Sequence, residues 1–307
     1  MMEQSAQTLA NWAEFNRRKW HCDVEAITFQ VPNSGAYGES LFFTNRRGGF
    51  YLPPHNPYHP TLFHPTPTNK PYRSNKQWHD VADLIIDRLL KIRGPVIFNL
   101  PPEITDIRPF LWRGFKADVK YTYYVNIPYS IDLASKAIRN KIRKAAAEGY
   151  ISVRTDNMEH ALQCLAETEK RQGFSHQLTV HDLNMARELL GENALRCYIC
   201  YSKDGEPVSV NLSLLLHPTR ATGWIAGTKS AHLSKGVVQQ LQLFEFEDLA
   251  SIGVTSFDFT GANIPSVSES KADWGGDLMP YYVIRKPGFK EILRSVRDWF
   301  QFKRELR

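Results

Sequence analysis

The 307-residue chain has only four cysteines, Cys22, Cys164, Cys197 and Cys200, and no long apolar run. Scattered thiols give no disulfide framework. A membrane helix needs roughly 18 or more consecutive apolar residues, so no transmembrane segment is expected. The opening "MMEQSAQTLANWAEF" shows no basic flank leading into an apolar stretch, and no secretory signal is visible. A cytoplasmic location is therefore expected. Cys197 and Cys200 have C-x-x-C spacing, but "LRCYICYS" reads as a strand. Residues three apart on a strand face opposite sides, so the two thiols are expected to be small buried apolar groups rather than a bridge or metal pair. Compositional bias is also lacking: 42% hydrophobic and 23% charged residues describe a globular chain.

What is present begins with charge. The net charge of +6 suits an anionic partner such as a CoA-type cofactor, a phosphorylated precursor, RNA or a membrane surface; simple solubility is the alternative. No DNA partner is expected. His55, His59 and His64 lie in the Pro-rich stretch "YLPPHNPYHPTLFHPTPTNKPY" with no carboxylate or cysteine in register. The expected reading is a long loop, a lid or an ordered connection, and no metal.

The second half parses as β-α-α-β-β-β-α-β-loop-β. "ISVRT" opens it as a strand, Asp156 is expected to cap the next helix, and Thr179 begins another. "LRCYICYS" and "PVSVNLSLLL" flank Asp204-Gly205, a hairpin signal. "ATGWIAGT" is a further strand, and Ser234 is expected to cap a long helix that is apolar at Val237, Leu241 and Phe244. "TSFDF" and "LMPYYVIRK" are the last strands, joined by a polar loop. In the first half "SLFFTNR" and "GGFYLPP" suggest a hairpin, "NKQWHDVADLIIDRLLKIRG" a helix, "PVIFNL" and "KYTYYVNI" strands.

Two pieces repeat loosely. "VIFNLPPEITDIRPFLWRGFKADVKYTYYVNI" and "TSFDFTGANIPSVSESKADWGGDLMPYYVIRK" each give strand, polar loop, tryptophan-glycine turn and aromatic strand. Asn99 takes the place of Asp258, Trp112 that of Trp274, and Tyr123-Tyr124 that of Tyr281-Tyr282. This suggests a duplicated unit whose copies face a cleft. Between them "SIDLASKAIRNKIRKAAAEGY" is helical, with Ile138, Ile142 and Ala145 on one face and Lys136, Arg139 and Arg143 on a basic stripe. That stripe is either a solvated face or a ligand-reaching one.

Two residues of the second repeat carry chemistry. Lys271, beside the Trp274-Gly275 turn, suits stabilisation of an acyl-transfer oxyanion, or is a surface lysine. Asp258 is either a general base or a structural acceptor for N–H groups of the 261–263 turn.

With these features in place the chain resembles the GNAT acyltransferase superfamily. The doubled arrangement, "IRNKIRKAAAEG" and "FDFTGA…K…WGG…YY" together are similar to its FemAB-like and CelD-like branch. "RQGF" at 171–174 and "DGEPVSV" at 204–210 look like family sequence too. The likeness is loose over 38–130 and better over 132–287. It implies a mixed α/β fold of two tandem GNAT-like domains: a degenerate one over 1–130, a basic connecting helix over 131–150, a second over 151–287 and a basic helix over 288–307. It implies an acyltransferase moving an acyl group from acyl-CoA, such as acetyl-CoA, to an amine or hydroxyl of a small-molecule, sugar or cell-envelope precursor. The alternatives are an aminoacyl-tRNA-dependent transfer onto a cell-wall precursor, and a silent binding protein. The family lysine maps onto Lys271, although relatives more often read Phe-Lys where this chain has "SESK". GNAT enzymes hold the CoA pyrophosphate at the N-terminus of the helix after the fourth strand. Here that turn offers Lys229, Ser234, Lys235 and Gly236, and only Gly236 remains of the usual Arg/Gln-x-x-Gly-x-Gly/Ala pattern. Arg139, Arg143, Trp274, Gly275 and Tyr281 are the expected substrate-binding residues.

Overall fold

The computed structural model describes residues 2–286; the basic helix expected over 288–307 lies outside the described residues. The chain runs α1 (Met2–Trp20), β1 (Asp23–Gln30), β2 (Tyr37–Thr44), β3 (Thr61–His64), α2 (Pro71–Lys91), β4 (Ile97–Asn99), α3 (Arg108–Trp112) and β5 (Lys116–Asn126). A 3-10 turn at Ile131–Leu133 leads into α4 (Lys136–Ala147), followed by β6 (Ile151–Arg154), α5 (Met158–Gln172), α6 (Val180–Leu190), β7 (Leu195–Tyr201), β8 (Pro207–Leu214) and β9 (Arg220–Thr228). A second 3-10 stretch, Ser230–Lys235, precedes α7 (Val237–Ser251), β10 (Ser256–Asp258), α8 (Pro265–Ala272) and β11 (Asp277–Arg285).

Two compact units emerge, and they do not follow a single cut of the chain. One gathers residues 2–20, Pro54–Pro57 and Lys120–Pro280; the other gathers His21–Pro53, Tyr58–Val119 and, among the described residues, 281–286.

In the N-terminal unit β1, β2 and β3 form an antiparallel sheet, with Asp23 opposite Thr44 and Tyr37 opposite His64. The hairpin expected from "SLFFTNR" and "GGFYLPP" reduces to one bridge, Thr44 to Phe50; β2 instead pairs along its length with β1. Trp78, Val81, Ala82, Ile85, Ile86 and Leu89 of α2 are buried at helical spacing against Phe42, Phe98 and Phe110. Part of the Pro- and His-rich stretch is not loop, because Thr61–His64 is β3.

In the C-terminal unit the strand order is β5-β10-β9-β8-β7-β6. β10 runs antiparallel to β5 and parallel to β9, while β6 to β9 are antiparallel neighbours, which makes the sheet mixed. Gly205, at φ 81°, closes the β7–β8 hairpin, a conformation that glycine adopts without strain. Every residue of β8 is buried. Local signals explain the helices, with two shifts of cap. Thr179 and Asp182 form a capping box on α6. Asn157 rather than Asp156 caps α5, and Asp156 pairs with Arg187 at 2.5 Å. Gly236 rather than Ser234 is the N-cap of α7. The "NIPSVSES" connection expected as a polar loop contains α8, started by Pro265 at its first turn. The loose repeat diverges at its tryptophans: Trp112 is 66% exposed, whereas Trp274 is buried.

Candidate functional site

β10 stops at Asp258, opposite Thr222, while β9 runs on to Thr228. Past that point the two parallel strands no longer pair, and a cavity of about 270 Å³ opens there. Its walls come from Asn211 and Ser213 of β8, Trp224 of β9, Gln239, Gln242 and Glu245 of α7, Lys271 in the last turn of α8 and Trp274 just past it; Phe257 of β10 with Phe259 and Thr260 after its end add the corner.

Glu245 sits at the centre of the polar part. It is 1% exposed. Its Oε2 accepts from Asn211 Nδ2 at 2.8 Å and Gln242 Nε2 at 2.9 Å, and its Oε1 accepts from Ser213 Oγ. Burial pushes its pKa up from 4.5 to about 7, against the pull of those three hydrogen bonds, and the Asp248 charge pushes the same way as burial. Lys271 shows the converse. Its ammonium donates to the carbonyl oxygens of Phe259 at 2.9 Å, Gly261 at 2.6 Å and Thr260. Burial brings its pKa down to about 8, opposed by the Asp258 charge. One cavity thus holds a carboxyl and an amine that both change charge close to neutrality, the condition under which side chains exchange protons with a substrate.

Asp258 lies behind this wall rather than on it. It is fully buried, accepts from Thr122 Oγ1 at 2.6 Å and from the Thr260 N–H at 2.8 Å, and does not line the cavity. Trp274 is both wall and core, packed on Tyr129, Phe246 and Phe259. At Gly275, φ is 70° and a Cβ would come within 2.4 Å of the Leu133 carbonyl oxygen, so the turn needs glycine. Its N–H bonds to the Ala272 carbonyl at 2.8 Å.

The other expected site residues lie elsewhere. Gly236 is left-handed at φ 84°, and a Cβ there would lie 2.1 Å from the Lys141 carbonyl oxygen of α4. Helix α4 therefore packs against one side of the start of α7, while Val238 and Gln239 of its first turn line the cavity. Lys229 pairs with Glu206 at 2.8 Å, Lys235 pairs with Glu148 at 3.0 Å, and the Ser234 carbonyl accepts from Lys144. The two lysines of that turn are thus engaged by carboxylates. Arg139 donates to the carbonyls of Asp132 and Ala134, and Arg143 Nε to that of Arg139. Tyr281 is buried in the N-terminal unit, edge-on to Tyr58 at 5.0 Å.

Cys164, Cys197 and Cys200 are buried, and burial pushes their thiols up to about 12, 12 and 11. His59 is fully buried and stacked on Phe50, and His64 pairs with Glu39 at 2.8 Å. The described residues contain no group of three or more His, Cys, Asp or Glu arranged to hold a metal ion. None of their helices is long and apolar enough to cross a membrane.

Glu245, Gln239, Gln242, Asn211, Ser213 and Trp224 stand outside the sequence expectation. Their signal was present as polar residues in apolar company: Gln239, Gln242 and Glu245 at spacing three along α7, and Asn211 and Ser213 alternating in "PVSVNLSLLL".

A mixed sheet whose central parallel pair parts over a polar cavity beside a helix defines an acyltransferase fold of the GNAT type. Residues 134–267 match the family described as "Acetyltransferase (GNAT) domain". No protein of curated function matches the chain at the sequence level. Among solved structures, FemX superposes with a TM-score of 0.64 at 12% identity, covering 92% of this chain and 95% of its own. The C-terminal domain (DUF2156) of an Agrobacterium fabrum protein described as a lysylphosphatidylglycerol synthetase gives 0.61 at 11% identity, covering 95% and 94%. L-PGS from Bacillus licheniformis gives 0.53 at 13%, covering 86% of each chain. These likenesses concern the fold. They extend over both units.

Proposed function

We propose that the protein is an acyltransferase that joins an acyl group to an amine or hydroxyl acceptor in the cavity beside α7. The observation that carries this reading is the pair Glu245, buried, and Lys271, half-buried, both displaced toward neutral pKa and both lining the gap between β9 and β10. Acyl transfer passes through a tetrahedral oxyanion, so a cation and a proton acceptor in one site serve it. Lys271 shapes that site through the Phe259–Gly261 carbonyls, and its ammonium is the cation nearest to hand. Asp258 fixes the same corner from behind.

Acyl-CoA is the donor expected of a GNAT segment. The pairing of Lys229 with Glu206 and of Lys235 with Glu148 favours a second reading, an aminoacyl ester of tRNA, which needs no pyrophosphate seat there. The exposed Lys136, Lys141 and Arg143 of α4 offer phosphate contacts for such a donor. The similarity in fold to proteins named for lysylphosphatidylglycerol synthesis points to acceptors of the cell envelope. A donor panel tests the proposal: purified protein with acetyl-CoA, longer acyl-CoA esters and charged tRNA, scoring thiol release or loss of the aminoacyl ester. CoA turnover supports the first donor, and RNase-sensitive transfer the second. Absence of transfer from every donor with a mixed amine acceptor pool, in a folded protein, overturns the proposal.

A further inference from the structure

The polar wall of the cavity is unbalanced. Three neutral groups donate to Glu245, and among the described residues no Lys, Arg or His forms an ion pair with it. The nearby cation, Lys271, spends its hydrogen bonds on backbone carbonyls. A buried carboxylate without a cation is costly and calls for one. Two further groups on the same wall also lack partners: the side-chain oxygen of Gln239 and the indole N–H of Trp224, each 8% exposed. Buried polar atoms are nearly always paired, so two orphans on one cavity point to a ligand.

The chemistry of the gaps is specific. Two of them, the Glu245 carboxylate and the Gln239 oxygen, accept hydrogen bonds; the third, Trp224 Nε1, donates. An ammonium has three N–H donors and no acceptor. Aromatic rings beside such a site, here Trp224, Phe257, Phe259 and Trp274, suit a cation with an alkyl stem. We propose that Glu245, Gln239 and Trp224 form a receptor for a primary ammonium group, the carboxylate and amide oxygen taking its N–H bonds. This deepens the acyltransfer reading of the same cavity by making the bound group an amine. Two sources share that chemistry, an acceptor amine and the α-amine of an aminoacyl group. In the second, the carbonyl next to the amine also answers the Trp224 N–H.

The test uses the full chain with no acyl donor, so it stands or falls apart from turnover. Calorimetric titration at pH 7.4, where an α-ammonium beside an ester is still mostly protonated, compares n-propylammonium chloride, alanine methyl ester, and the neutral match 1-propanol. Both amines are expected to bind at least tenfold more tightly than the alcohol. A tighter ester assigns the site to an aminoacyl group, and a tighter simple amine to the acceptor. Glu245→Gln is expected to lose at least tenfold in amine affinity with propanol unchanged. Amine binding is expected to weaken as pH falls through about 7, where Glu245 takes up a proton. Gln239→Leu provides a second variant should the first not fold, with a loss of threefold or more. Equal binding of amine and alcohol overturns the proposal, and so does amine affinity that survives either substitution in a folded protein.

Discussion

Lys271 shows what one side chain can disclose from sequence and what it cannot. Its isolation before a tryptophan-glycine turn marks it, and the structure places it on the cavity. Its neighbours were not legible: the carbonyls of 259–261 reach it only because Gly261, at φ 62°, turns the chain after β10. Glu245 was the harder residue, since a glutamate in a helix ordinarily faces water and only contacts from β8 reveal that this one is inside. Lys271 yields a prediction with a definite sign. Its folded pKa, about 8, lies below the ordinary 10.5. Between those values the unfolded chain binds the extra proton, so stability rises with pH. Wild type is therefore expected to gain stability relative to Lys271→Met as pH goes from 8 to 10.5, by up to about 1.4 kcal/mol per pH unit. Urea midpoints of the two proteins across that range check it; a constant difference would show that the ammonium is not desolvated.

Among the elements, legibility followed burial. β7 and β8 are buried almost throughout and announced themselves as apolar runs around a hairpin. β1 was silent because only one of its eight residues, Phe29, is buried, so its sequence does not alternate. α1 hides Leu9, Trp12 and Phe15 within a polar stretch, and a buried chain of bonds from Trp12 to Asn56 to Asn16 secures it. The turn before α7 was read by analogy as a phosphate seat; packing there was not legible, since α4 lays the Lys141 carbonyl against Gly236. Gly236→Ala would place a Cβ 2.1 Å from that oxygen in a left-handed conformation. The cost is expected at roughly 2–4 kcal/mol, combining backbone strain with displacement of α4. Equilibrium urea unfolding measures it. A loss under 1 kcal/mol would mean that α4 moves aside easily, which would reopen the turn to an anionic donor.

At the scale of the molecule, the two units carry buried groups that titrate with opposite consequences. Glu245, in the C-terminal unit, has its folded pKa raised from 4.5 to about 7. Its contribution is fully present below pH 4.5 and is lost as pH rises through 7. His59, in the N-terminal unit, is fully buried, and its Nδ1 accepts the Asn99 N–H. Burial lowers its pKa from 6.5 to about 3, so its contribution is present above pH 6.5 and is lost as pH falls through 3. Between pH 4.5 and 6.5 the same change in acidity strengthens one unit and weakens the other, each by at most about 1.4 kcal/mol per pH unit. Hydrogen exchange resolved by peptide reads the units separately. Going from pH 5 to 7.5, α7 and β8 are expected to lose protection relative to the same peptides of Glu245→Gln. Over the same interval α2 and β2 are expected to gain protection relative to His59→Gln. If Glu245→Gln follows wild type at every pH, the carboxyl is already ionised at no cost, its unpaired burial is an error, and the demand for a cation in the cavity disappears with it.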